Sequence, residues 1–131
     1  NKKINKIRNL KIYNTWLKDN DIIKLFDKND VCILPYLESS QSGVVPISFM
    51  TGTPIIATAV GGLKEQITNN YNGVIVDKNI QSLNDAILRI YNNQNTYNKL
   101  SIACHNTFDT KFSFKNFKSE IINYLDELSL N

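Results

Sequence analysis

Apolar residues along this chain come in short solid blocks separated by amphipathic stretches. The blocks DVCILPY (residues 30–36), TPIIATAV (53–60) and GVIVD (73–77) are almost wholly apolar. Such runs suit strands buried on both faces, as in parallel sheets. LKIYN (10–14) predicts a further short strand. Between and after the blocks the apolar positions fall at helical spacing. DNDIIKLFDKN carries Ile22, Ile23, Leu25 and Phe26 on one face, with Asp19 or Asn20 as its cap. SGVVPISFMTG predicts a helix closed by Gly52. IQSLNDAILRIYNN places Ile80, Leu83, Ile87 and Ile90 in one stripe flanked by Ala86 and Tyr91. Two more helices are predicted over 95–108 and 114–130, the last anchored by Phe112, Phe114 and Phe117. Strands alternating with helices predict an α/β fold, a mainly parallel sheet with helices on both faces. In such sheets ligands bind beyond the carboxyl ends of the strands. The first solid block runs straight into LESSQSG (37–43), so chemistry is sought there.

Composition narrows the reading only a little. The chain has 131 residues, of which 42% are hydrophobic, enough for one domain with a core. No apolar run approaches the roughly 18 residues that cross a bilayer. The formal net charge of +3 is too mild to argue for nucleic acid. Lysines crowd the opening NKKINKIRNLK, which reads either as a solvated face or as a contact with an anionic membrane surface. Cys32 and Cys104 lie far apart and fit a reducing compartment better than a disulfide framework. With the single histidine, His105, they supply too few ligands for zinc.

The loop before the proline-bearing helix has a physical logic. A helix start leaves backbone N–H groups without partners and carries partial positive charge, both of which a phosphate satisfies. Pro46 is tolerated only in a first turn, which sets the helix start near Gly43. The amides from Gly43 to Val45 are then free to face an anion, with Gln41 and Ser42 adding donors and Gly43 permitting close approach. The same pattern also fits an ordinary helix with Ser42 as its cap. Other phosphate loops are excluded: there is no G-x-x-x-x-G-K-[ST], and VGGLKE lacks G-x-G-x-x-G spacing. No Ser-His-Asp or Cys-His arrangement stands out.

The segment NDVCILPYLESSQSGVVPISFMTGTPIIATAVGGLKEQITNNYNGVIVD resembles the donor-binding domain of family-4, group-1 glycosyltransferases. The markers occur in order: Asp-Val before a strand ending in Pro-Tyr, the loop, Gly-Thr-Pro, a strand into Gly-Gly-x-x-Glu, and Asn-Gly before a last strand. The resemblance runs from about residue 10 to the end. It implies a three-layer Rossmann-like domain, the C-terminal half of a type-B enzyme. It further implies transfer of a sugar from a nucleotide-diphosphate donor (UDP- or GDP-linked) to a hydroxyl, with retention at the anomeric carbon and no cofactor or obligatory metal. Ser42, Gly43, Val44 and Val45 would meet the diphosphate through backbone amides. The family setting points to surface-polysaccharide synthesis, such as O-antigen or capsule, at the cytoplasmic face of the membrane, with a lipid-linked acceptor.

The chain departs from the family twice. Many members carry a pair of glutamates across this segment, and the matching positions here hold Ser39 and Ile47. Glu38, one residue off, is the candidate catalytic carboxylate, or else a solvated loop residue. The family's opening strand, with its Arg and Lys, has no counterpart, and the chain begins with Asn1. Residues 1–131 are therefore expected to be a partial donor domain whose acceptor domain lies outside it. Single residues read two ways. Thr58 lines the cleft or ends a strand. Gly61 and Gly62 shape a base pocket or a plain turn. Gly52, Thr53 and Pro54 form a structural turn. Trp16 walls the base pocket or packs in the core, Glu65 is a charge at a helix start, and His105 is a surface or satisfied histidine. A non-catalytic nucleotide-binding or domain-packing module is the alternative function. A flavodoxin-like receiver ranks below both, for want of its acidic cluster and lysine.

Overall fold

The computed structural model describes residues 9–129, so most of the lysine-rich opening lies outside the described residues. The elements run α1 (Asp19–Asp27), β1 (Cys32–Leu34), α2 (Val44–Met50), β2 (Ile55–Thr58), α3 (Leu63–Gln66), β3 (Gly73–Val76), α4 (Ile80–Tyr91), α5 (Gln94–Thr107), a π-helical turn (Phe108–Phe112) and α6 (Phe114–Ser129). The three strands form one parallel sheet in the order β1-β2-β3. Cys32 pairs with Ile55, and Ile55 pairs with Gly73. The expected α/β fold with a parallel sheet is what the chain adopts.

Alternation along β2 sorts the core into two layers. Ile55 and Ala57 face α2, α3 and the end of α5, where Val45, Phe49, Leu63, Ile67 and Cys104 are buried with them. Ile56 faces the other way, against Ala86 and Ile90 of α4 and Leu100 of α5. Phe112 of the π-helical turn meets Phe49 with ring centroids 6.0 Å apart and planes at 57°. Tilted pairs of this kind add about 0.5–1.5 kcal/mol beyond the area they bury.

Several expectations need correction. Residues 10–14 form no strand; Leu10, Ile12 and Tyr13 are exposed and no described strand lies beside them. β1 is shorter than its apolar block, and Ile33 is half exposed because the strand has only one neighbour in the described sheet. α1 starts one residue early, with Lys18 at the cap and no side-chain bond there. In α4 the buried face is Ala86 and Ile90 with Leu83 and Ile87 packed beside them; Ile80 and Tyr91 are exposed. Phe112 anchors the C-terminal region, whereas Phe114 and Phe117 are exposed. Among the described residues, no helix is long and apolar enough to cross a membrane.

The amino end of the sheet is sealed by buried polar groups that satisfy one another. Gly52 takes φ +68°, a conformation that favours glycine, and closes α2. The Thr53 amide donates to Ser48 O at 2.8 Å, and Ser48 Oγ donates to Thr53 O at 2.6 Å. Asn72 is fully buried; its Oδ1 accepts from the Thr68 amide at 2.8 Å and its Nδ2 donates to Thr107 Oγ1 at 3.1 Å. Cys104 Sγ donates to Asn72 O at 3.1 Å. Burial pushes the Cys104 thiol up to about 12 and the Cys32 thiol up to about 11, the latter against a hydrogen bond from Ser48 that pulls it down. The Gly-Thr-Pro and Asn-Gly markers of the sequence are thus parts of this seal.

Candidate functional site at the carboxyl ends of the strands

The chain leaves β1 through Pro35 and Tyr36. Thr58 Oγ1, at the end of β2, donates to the Tyr36 carbonyl and ties the two strand ends together. Thr58 is buried, so its role is to brace this junction and not to line a cleft. Beyond it, residues 37–43 form the loop expected to carry chemistry. Ser39 Oγ donates to Gln41 O at 2.9 Å, which folds the loop on itself.

The loop is held from one side by the turn after β2. The Gly62 amide donates to Ser39 O at 3.2 Å. A Cβ on Gly61 would lie 2.0 Å from Ser39 O, and one on Gly62 would lie 1.5 Å from Ser40 O. Glycine is required here because two backbones touch, a stronger reason than the plain turn expected from the sequence. Gln66, in α3, completes the hold: its Oε1 accepts from the Ser42 amide at 2.8 Å and its Nε2 donates to Ser42 O at 3.2 Å. Gln66 does not stand out in the sequence. Its only signal was a carboxamide in the turn that follows Gly-Gly.

Pro46 sits in the first turn of α2 and Gly43 is the cap residue, as its position required. Gly43 is exposed, and a Cβ there would meet nothing within 4 Å. Its φ of −66° is open to any residue, so neither conformation nor packing within the chain requires glycine at this position. The three amides are not all unpaired, which corrects the expectation. Val44 N–H donates to Ser42 Oγ and Val45 N–H donates to Ser42 O, each at 3.3 Å. Ser42 turns its hydroxyl back over the first turn, one position before the cap. Only the Gly43 amide is without an acceptor among the described residues. Gln41 is exposed, Ser42 and Val45 are buried, and Val44 is half-buried.

A cleft of about 610 Å³ opens at the ends of all three strands, walled by residues 37–40, residues 59–61 and Lys78. Glu38 is exposed on its rim. Glu38 and Lys78 both line the cleft, a pairing that their 40-residue separation in the sequence does not suggest. Gln41, Ser42, Gly43, Val44 and Val45 are not among its walls; they follow Glu38 along the same loop and into the start of α2. A second hollow of about 770 Å³, lined by Tyr13, Lys11, Lys24 and Lys28 among others, takes none of its walls from the strand-end loops. Trp16 is 95% exposed, neither in the core nor against a described wall of either hollow. His105 is exposed and lies across Gly52, at the opposite end of the sheet.

With this geometry the chain can be set beside known proteins. It is similar to an uncharacterized glycosyltransferase of Methanocaldococcus jannaschii, 34% identical over 93 residues, which span 70% of this chain and 26% of that relative. Its fold matches a glycosyltransferase structure from Rickettsia africae with a TM-score of 0.74 and 25% identity, covering 86% of this chain and 31% of that one. It also matches HepE of Anabaena, solved in complex with UDP, with a TM-score of 0.71 and 16% identity over 79% of this chain and 29% of that one. The chain therefore spans about a third or less of these proteins. The family model of glycosyl transferases group 1 matches residues 3–106, most of the sequence, and the chain belongs to that family.

Proposed function

We propose that this chain binds the nucleotide-diphosphate donor of a glycosyltransferase that moves a sugar onto a hydroxyl acceptor. The observation that carries the reading is the loop of residues 37–43. It lies at the carboxyl ends of a parallel sheet in a group 1 glycosyltransferase chain, with an exposed Gly43 that has open space above it. In this reading the diphosphate takes the Gly43 amide directly. Ser42 Oγ rotates away from Val44, which frees that N–H for a phosphate oxygen and turns the hydroxyl into a further donor. The Val45 amide, held by a long turn bond, contributes its dipole, and Gln41 reaches the donor from the exposed rim. During transfer the acceptor oxygen bonds to the anomeric carbon as the bond from that carbon to the β-phosphate oxygen breaks; the electron pair leaves with the diphosphate, and the hydroxyl proton passes to the departing phosphate oxygen. Amides fixed before the reaction stabilise that charge without reorganising.

Glu38 stands as the carboxylate next to the sugar, accepting from its hydroxyls. The Anabaena complex with UDP supports a uridine donor, with GDP as the other candidate. Retention at the anomeric carbon, a lipid-linked acceptor supplied through a separate acceptor domain, and a place in surface-polysaccharide synthesis at the cytoplasmic side of the membrane complete the proposal.

Calorimetric titration of the chain with UDP and GDP tests it. One of the two should bind with base selectivity, and Gly43→Asp, which sets a negative charge where the phosphate goes, should abolish the heat while leaving the melting temperature within a few degrees. Equal affinity in wild type and variant would overturn the assignment of the site.

A further inference from the structure

The residue that shapes the proposed donor loop does not belong to it. Gln66 lies 24 positions beyond Ser42, yet its carboxamide grips both sides of that residue's backbone. One planar group accepts from the Ser42 N–H and donates to the Ser42 C=O. That pair of bonds fixes the orientation of the peptides on either side of Ser42. The following amide is that of Gly43, the one with no acceptor among the described residues, and the next is Val44, which donates to Ser42 Oγ. The contacts beside it serve the same end. Gly61 and Gly62 bring their backbone against Ser39 and Ser40 so closely that no Cβ would fit. Every one of these holds is made on loop backbone, so the side chains of Glu38 and Gln41 remain exposed.

From this arrangement we propose that Gln66 is a positioning residue for donor binding: it orients the Ser42 peptide and thereby aims the Gly43 and Val44 amides at the diphosphate. The proposal rests on the donor-binding reading given above. It needs a group that accepts and donates at once, which a carboxamide does and a carboxylate does not. In Gln66→Glu the ionised side chain still accepts from the Ser42 N–H, but its second oxygen faces the Ser42 carbonyl and repels it. A protonated carboxyl donates again and restores the pair.

The test is calorimetric titration of wild type, Gln66→Ala and Gln66→Glu with UDP (or GDP, whichever the wild type binds) at pH 7.5 and pH 5. Each variant is read as its affinity ratio to wild type at the same pH, so that titration of the ligand cancels. Gln66→Ala should bind about tenfold more weakly at both pH values, the loss expected from one to two hydrogen bonds. Gln66→Glu should be weaker still at pH 7.5 and recover most of the difference at pH 5. Wild-type affinity in both variants, or a Gln66→Glu defect that is the same at both pH values, overturns the role of Gln66 while leaving the donor site standing. Failure of the wild type to bind either nucleotide overturns the donor reading and this role with it. If the variants do not fold, the wild-type chain supplies the second measurement: nucleotide should shift the side-chain amide resonances of Gln66, and unmoved resonances overturn the proposal.

Discussion

The two ends of the sheet solve opposite problems with the same residue types. At the amino end Thr53, Asn72 and Thr107 are buried, and each polar group there has a partner inside the protein. At the carboxyl end Glu38, Gln41 and Gly43 are exposed, and the Gly43 amide is left without an acceptor among the described residues. Burial makes an unmade hydrogen bond expensive, so the amino end is closed to ligands by its own completeness. Exposure makes the same bond cheap to leave open, and that is where a ligand can supply the missing partner. The carboxyl end is itself divided: the side built from Gly61, Gly62 and Gln66 is clamped, and the side around Gly43 is roomy.

The hardest break in that comparison is at the clamp. Gly62→Ala puts a Cβ 1.5 Å from the Ser40 carbonyl, against backbone that cannot swing aside. It should cost about 3 kcal/mol or more in urea unfolding, whereas Gly43→Ala should stay within about 0.5 kcal/mol of wild type. Similar losses in the two variants would mean that the rim is uniformly soft. At the amino end, Asn72→Ala strands the Thr68 amide and takes a donor away from the Thr107 hydroxyl, which keeps its bond to Ala103 O at 2.7 Å, and should cost about 2–3 kcal/mol by the same measurement. It should leave UDP affinity per folded molecule unchanged, since the seal is remote from the site; a fall in affinity would couple the two ends.

The smallest effect is alkaline. The Cys32 and Cys104 thiols are raised from 9.0 to about 11 and about 12 in the folded chain, so folding favours their protonated forms. The unfolded state loses these protons first. The stability they contribute is fully present below pH 9 and declines as pH rises from there through about 11 and 12. In urea unfolding followed against pH, a Cys32→Ala, Cys104→Ala double variant should lose less stability above pH 9 than wild type does. Parallel slopes would show that neither thiol is linked to folding.

Much of this layout is legible in the sequence. The solid apolar blocks mark β1, β2 and β3, and Pro46 dates the start of α2 because a proline is tolerated only where no intrahelical bond is needed. Periodicity alone identifies an apolar stripe but not the element opposite it. Hence Ile80 and Phe114 read as core and are exposed, while Ala86, read only as a flank of the stripe, is buried. The order of the markers from Pro-Tyr to Asn-Gly likewise identifies the family without saying what each marker does.

What the sequence by itself determined, then, is local: where strands end, where helices begin, and that a polar loop follows β1. Only the tertiary structure decided which glycines are indispensable, that Lys78 shares a cleft with Glu38, and that Gln66 holds Ser42. Propensity and spacing act over a turn or a strand. A carboxamide meeting a peptide 24 residues away depends on how the α3 turn is laid against the loop. That placement is set by the sheet register and by two backbones close enough to exclude a methyl group.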